Sequence, residues 1–187
     1  MNLDIPKPKA RNIFFTKDVD LDSISELTKE ILEIEDHDNH LRKVYEFNDL
    51  VYNPKPIKIY IDSYGGYVYQ CFGLLSVIKS CKTPIHTIVT GCAMSCGFLI
   101  AIAGHKRFAY PKATHMYHQV SSASIGKAKD IEEDLAETKR LQKMLEQHTL
   151  ECTSITKKQL KENFKAKKDW FMNSEEALKL KVIDEII

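Results

Sequence analysis

Ser95 lies in Gly91-Cys92-Ala93-Met94-Ser95-Cys96-Gly97, small residues between a β-branched run and an apolar segment. Strand, tight turn and helix is how a hydrolase exposes a nucleophilic serine, because small neighbours let the backbone reverse sharply. Ala93 stands where the full Gly-x-Ser-x-Gly elbow has its first glycine, so a structural serine in a turn is the alternative. His118, in His115-Met116-Tyr117-His118-Gln119, sits just past a short strand pattern. A strand end holds a general base rigidly. His115-x-x-His118 is no metal pair, since residues three apart on a strand point to opposite faces. Asp169 precedes Trp170-Phe171-Met172, aromatics that could bury a carboxylate and let it orient an imidazole. A helix cap or surface charge is the plainer role. Gly65-Gly66, after a strand pattern, frees backbone N–H groups for an oxyanion or a phosphate, or simply makes a turn. Cys96, beside Ser95, is either a reactive thiol or a small buried residue.

These groups need a scaffold. Asn12–Phe15 and the alternating Ile57-Lys58-Ile59-Tyr60-Ile61 predict strands, as do Ile85–Val89, Arg107–Tyr110, His115–Tyr117 and Val182–Ile186. Helices are expected after the Ser23-x-x-Glu26 capping box, over Val68–Ile78, after Gly97, over Lys127–Leu150 and over Glu175–Leu180. The charged stretch 34–46 predicts a frayed helix end or exposed insertion. Residues 1–10, with Pro6 and Pro8, predict an extended arm, and 11–187 one domain. Strands alternating with helices give an α/β fold with parallel crossovers, whose chemistry gathers at strand C-termini, here loops 62–66 and 90–97.

The composition narrows the function. The 187 residues carry 27 basic and 26 acidic side chains, a net charge of +1, which argues against a nucleic-acid coat. The longest apolar run, Phe98–Ala103, is far short of a membrane span, and the first residues carry no secretory pattern. Five cysteines without a Cys-x-x-Cys pair do not make a disulfide framework or zinc ribbon, so a cytoplasmic chain without bound metal is expected.

Taken together, the segments resemble the ClpP family, the proteolytic subunit of the Clp protease. Asp62-Ser63-Tyr64-Gly65-Gly66 is similar to the family's Asn-Ser-Pro-Gly-Gly, and residues 91–97 to its Gly-x-Ala-Ala-Ser-Met-Gly. Met116-Tyr117-His118-Gln119 matches Met-Ile-His-Gln. Asp169-Trp170-Phe171-Met172-Asn173-Ser174-Glu175-Glu176-Ala177 matches Asp-x-Phe-Met-Ser-Ala-x-Glu-Ala, and Val182-Ile183-Asp184 the Leu-Ile-Asp close. The resemblance implies a Ser95–His118–Asp169 triad, an oxyanion hole from the backbone N–H groups of Gly66 and Cys96, and peptide binding along Gly65, Ser121, Ser122 and Ala123. It implies no cofactor. It implies a ββα-spiral shared with the crotonases and a protruding handle over about 119–150. Partners would be peptide or unfolded-protein substrates, further copies in seven-membered rings, and an AAA+ unfoldase.

The chain departs from the family pattern in four places. Its ten-residue arm before Arg11 is short, which weakens the expectation of unfoldase docking. No propeptide is expected. Lys167-Lys168 replaces an acid–Arg pair that links rings, so a single ring competes with a double one. Val120–Gly126 lacks the family's proline and glycines, and the charged 34–46 stretch is extra. Three other readings compete with an active peptidase. They are a ring subunit inactive without a partner, an acyl-CoA enzyme of the crotonase fold, and a Ser–Lys dyad peptidase, which would want a lysine base and a membrane anchor.

Overall fold

The computed structural model describes residues 10–187. The arm expected over 1–10 lies outside the described residues except for Ala10. Strand β1 (Asn12–Phe15) leads to helix α1 (Leu21–Phe47), followed by β2 (Ile57–Ser63), α2 (Val68–Ser80), β3 (Ile85–Met94) and α3 (Cys96–Ile102). Strands β4 (Lys106–Ala109) and β5 (Thr114–Tyr117) precede the long α4 (Ala128–Cys152). Then come α5 (Lys157–Ala166), β6 (Trp170–Asn173), α6 (Ser174–Lys179) and β7 (Glu185–Ile186).

The alternation of β2 places Ile57, Ile59 and Ile61 inward at 0% exposure, with Lys58 and Asp62 outward. Each such burial contributes roughly 2–3 kcal/mol. The sheet runs β1-β2-β3-β4-β7, all parallel, as α/β alternation requires. The longest strand, β3, serves two partner sets. Residues 86–89 pair with β4, and residues 92–94 pair with β5, which pairs antiparallel with β6. Because β3 runs beyond Gly91, Ser95 emerges at the far end of a strand fixed on both sides.

Three expectations change. The capping box of α1 is Asp20 with Ser23, not Ser23 with Glu26: Asp20 Oδ1 accepts from Ser23 N at 2.8 Å and Ser23 Oγ from Asp20 N at 3.1 Å. The charged 34–46 stretch is neither a frayed helix end nor an irregular exposed segment, since α1 runs through it with Ile34 and Asp38 buried. Helix α5 and strand β6 were not foreseen. Only Leu160 of α5 is buried, so it shows little apolar periodicity.

His115, on β5 opposite Ala93 and Met172, is fully buried, and neither ring nitrogen has a hydrogen-bond partner. Burial pushes its pKa down to about 4. The folded value lies below the ordinary 6.5, so only the unfolded chain takes up this proton as pH falls from about 6.5 to 4. Stability is therefore full above this window and declines through it, by about 2 kcal/mol at pH 5. Urea unfolding of His115→Leu and of the parent at pH 7 and pH 5 isolates this contribution from His86 and His148, which burial also depresses. The substitution should flatten the decline, and equal slopes in the two proteins would refute it.

Candidate active site

Ser95 follows β3 and opens α3 in an unusual backbone conformation, φ 54° and ψ −121°. A non-glycine residue there carries of order 1–3 kcal/mol of strain, tolerated when the surroundings hold it. Ser95 N donates to Met116 O at 2.9 Å, and Leu99 N donates to Ser95 O at 3.2 Å. The sharp elbow thus forms with Ala93 in place of glycine.

His118 stands one residue beyond β5, and its Nε2 lies 2.7 Å from Ser95 Oγ. The pairing follows from the register: Met94 is opposite Met116, so Ser95 and His118 leave the two paired strands within one residue of the same level. His115 points instead into the core. His118 Nδ1 lies 3.8 Å from Asp169 Oδ1, longer than a hydrogen bond. The Asp169 side chain is 56% exposed. The flanking aromatics do not bury it, because Asp169 falls between the left-handed C-cap of α5 at Lys167 and the start of β6, and Phe171 itself faces outward.

The Gly65-Gly66 turn packs against the serine elbow. A Cβ on Gly65 would lie 2.8 Å from Ser95 Cβ and 2.9 Å from Cys96 N. Both glycines have positive φ, 101° and 149°. The turn is held by a segment that local sequence signals did not reveal: Val19 N donates to Gly65 O and Tyr67 N to Val19 O, each at 2.7 Å. Ser63 Oγ, which donates to Lys17 O at 2.6 Å, also accepts from Gly65 N. Glycine is needed at 66, because a Cβ there would lie 2.3 Å from Val19 O. Gly66→Ala should lower reaction at Ser95 by roughly 100-fold through displacement of the turn. Circular dichroism separates this from unfolding. A folded variant with unchanged reactivity would count against the turn's part.

Cys96 is 1% exposed, and its Sγ lies 3.3 Å from Gly66 O. Ser121, Ser122 and Ala123 are exposed, and residues 118–127 form no strand. That stretch is laid along α4: Val120 N donates to Gln142 Oε1 at 2.9 Å, Ser122 Oγ bonds Thr138 Oγ1 at 3.0 Å, and Ser124 bonds Asp134. Ser95 and His118 are thus in contact, Gly65, Gly66 and Cys96 border them, and Asp169 stands just outside hydrogen-bonding range. Among the described residues no cluster of His, Cys, Asp and Glu is arranged for a metal, and no helix is long and apolar enough to cross a membrane.

The Clp protease family profile matches residues 8–187. The chain is 35% identical over 135 residues to ATP-dependent Clp protease proteolytic subunit 2 of Chlamydia trachomatis, covering 71% of this chain and 66% of that one. It is 34% identical over 138 residues to the ATP-dependent Clp protease proteolytic subunit of Deinococcus radiodurans, covering 72% and 67%. To subunit 1 of Chlamydia felis it is 33% identical over 135 residues, covering 71% and 66%. The chain spans about two thirds of the length of these relatives. A family match across nearly the whole chain, with relatives above 30% identity, decides the matter: this chain belongs to the Clp protease family.

Proposed function

We propose that the chain is a serine endopeptidase of the ClpP type, acting on peptides and unfolded proteins. The observation that carries this reading is the 2.7 Å contact between His118 Nε2 and Ser95 Oγ at a strained elbow bordered by Gly66 and Cys96. With its proton on Nδ1, His118 accepts the Ser95 proton at Nε2 as Oγ attacks the scissile carbonyl. The developing oxyanion takes hydrogen bonds from the backbone N–H groups of Gly66 and Cys96. His118 then passes the proton to the leaving amine, and water repeats the sequence on the acyl-enzyme. Asp169 stabilises the imidazolium once the 3.8 Å separation closes by about 1 Å, a change within reach of an exposed carboxylate. A peptide would lie extended beside Gly65 and the backbone of 121–123.

The protruding half of α4 fits a handle through which copies stack, in a ring enclosing the sites. The first relatives' name, ATP-dependent protease subunit, supports a Clp ATPase as the feeding partner. The open gap to Asp169 favours one second reading, a subunit that becomes competent only when assembly or a partner chain presses Asp169 onto His118.

The test is intact-mass analysis after treatment with a fluorophosphonate, with Ser95→Ala as control. One adduct per chain, lost in the variant, supports the peptidase. An adduct that survives in the variant refutes Ser95 as the nucleophile. Labelling only after addition of a partner subunit selects the second reading.

A further inference from the structure

The peptidase mechanism uses Asp169 and leaves the segment that leads into it unexplained. Residues 157–168 hold six of the chain's 27 basic side chains, Lys157, Lys158, Lys161, Lys165, Lys167 and Lys168, and one of its 26 acidic ones, Glu162. The rest of the chain is therefore net negative. All six lysines are exposed. Lys158 reaches Glu162 at 3.9 Å, and among the described residues no acid stands within ion-pairing distance of the other five.

Helix stability does not account for this pattern. Lys157, Lys161 and Lys165 follow one another four residues apart, so like charges line one face of α5 and repel. Lys157 and Lys158 open the helix at the positive end of its dipole, where a cation is unfavourable, and no acidic residue stands in the first turn. The start is held instead by Thr156, whose Oγ1 accepts from Gln159 N at 3.3 Å. The lysines thus weaken the helix that carries them, and an anion among them would relieve the repulsion. With Glu162, the side chains of Lys157, Lys158, Lys161 and Lys165 line a cavity of about 420 Å³. The charge then runs on to the serine site. Lys167 closes α5 in the left-handed conformation, and Asn163 Nδ2 donates to Lys168 O at 3.0 Å, which holds this end against the helix. Asp169 comes next, with its Oδ1 3.8 Å from His118 Nδ1.

We propose that the lysine face of α5 recognises acidic segments of peptide substrates and presents the adjoining bond to Ser95, a proposal that rests on the peptidase reading and names its substrate class. On a chain that is net negative elsewhere, this face is where a run of Asp or Glu finds attraction. The effect falls on capture of the peptide more than on the chemical step. Continuity of the lysines with Asp169 favours the substrate over the other anionic occupants, a nucleic acid or the acidic first half of α4 in a second copy.

The experiment measures kcat and KM for internally quenched peptides that share one cleavable segment and carry a run of Glu, Gln or Lys beside it. The expected result is a kcat/KM about 10-fold higher for the Glu peptide than for the Gln peptide at low ionic strength, carried by KM, with the Lys peptide below both. Salt at about 1 M, where the Debye length is near 3 Å, should erase the difference. Lys161→Glu with Lys165→Glu should reverse the preference, and the milder Lys161→Gln with Lys165→Gln should abolish it, circular dichroism showing that both fold. Lys43→Glu with Lys55→Glu, the same charge change at exposed positions on α1 and before β2, should keep it. Equal kcat/KM for the Glu and Gln peptides overturns the proposal, and so does a preference that survives in the α5 variants. Loss of self-association in those variants with the preference intact would assign the face to a second copy. A DNA oligonucleotide that outcompetes poly-glutamate of equal charge would assign it to nucleic acid, and either result overturns the proposal. Fluorescence anisotropy of the labelled Glu and Gln peptides reads binding separately. If the protein does not react with a fluorophosphonate, the peptidase reading fails, whereas anisotropy still decides whether this face takes an acidic peptide.

Discussion

Ser95→Ala is expected to lower peptide hydrolysis by about four to six orders of magnitude, and Ser95→Ala with His118→Ala by no more than either alone. The non-additivity follows from the geometry. Nε2 of His118 is 2.7 Å from Ser95 Oγ, so the imidazole acts through that oxygen and has nothing to deprotonate once it is gone. Asp169→Asn should behave differently. Its carboxylate is 3.8 Å from Nδ1 and more than half exposed, so in the isolated chain its loss should cost less than the loss of Ser95 or His118. In a competent assembly, where the gap has closed, the cost should rise toward that of the other two. The comparison therefore reads out whether assembly completes the site. Steady-state hydrolysis of a fluorogenic peptide across the four variants is the measurement. Additive losses for Ser95 and His118 would show that they act in separate steps and would sink the proposed proton transfer.

Much of this site was legible because its members end regular strands. The β-branched runs at 57–61 and 85–89 and the small residues at 91–97 mark where a parallel α/β fold presents side chains. His118 follows a recognisable strand, so its distance in sequence from Ser95 is bridged by one pairing, β3 with β5. Val19 was not legible, because a single bridge to Gly66 leaves no periodic trace. The sole available sign was the pair of glycines itself, since positions that need glycine often have another backbone where Cβ would be. Asp169 was placed in the right neighbourhood with the wrong environment. Aromatic neighbours in sequence predicted burial, but on a strand only alternate residues turn inward: Met172 is 1% exposed and Phe171 55%. For the same reason β6 did not declare itself, and α5, with seven polar or charged residues in its ten, carried no apolar stripe.

The charged stretch in α1 holds a buried carboxylate, and it leads to the largest expected stability effect. Asp38 is fully buried and accepts from both Arg11 Nη atoms at 2.9 and 2.5 Å, from Thr83 Oγ1 at 2.8 Å and from Tyr52 Oη at 2.9 Å. One carboxylate thereby ties the residue before β1, the middle of α1, the loop before β2 and the turn before β3. Local charge patterning cannot reveal this, because Arg11 lies 27 residues away. Burial alone would raise the Asp38 pKa. The hydrogen bonds outweigh it and pull the value down to about 2. The folded value lies below the unfolded one of about 3.9, so this contribution is fully present above that range and is lost as pH falls toward 2. It amounts to about 2–3 kcal/mol, in a window below the one His115 governs. Asp38→Ala removes more than that difference, because among the described residues it leaves the Arg11 guanidinium only Lys55 O as an acceptor and takes from Thr83 and Tyr52 the carboxylate they donate to. A cost of about 3–5 kcal/mol is expected at pH 7, lowering Tm by roughly 10 °C. Asp38→Asn keeps the shape and loses the charge, so its stability should decline less steeply than the parent's between about pH 4 and 2, while the His115 decline above about pH 4 is common to both. Thermal melts of the three proteins across that range decide it. A Tm within about 2 °C of the parent for Asp38→Ala would mean that the buried cluster is held by its apolar surroundings and not by the carboxylate. The serine site lies at the opposite end of β3 from Thr83, so the folded fraction of Asp38→Ala at low temperature should still label at Ser95, which separates loss of fold from loss of chemistry.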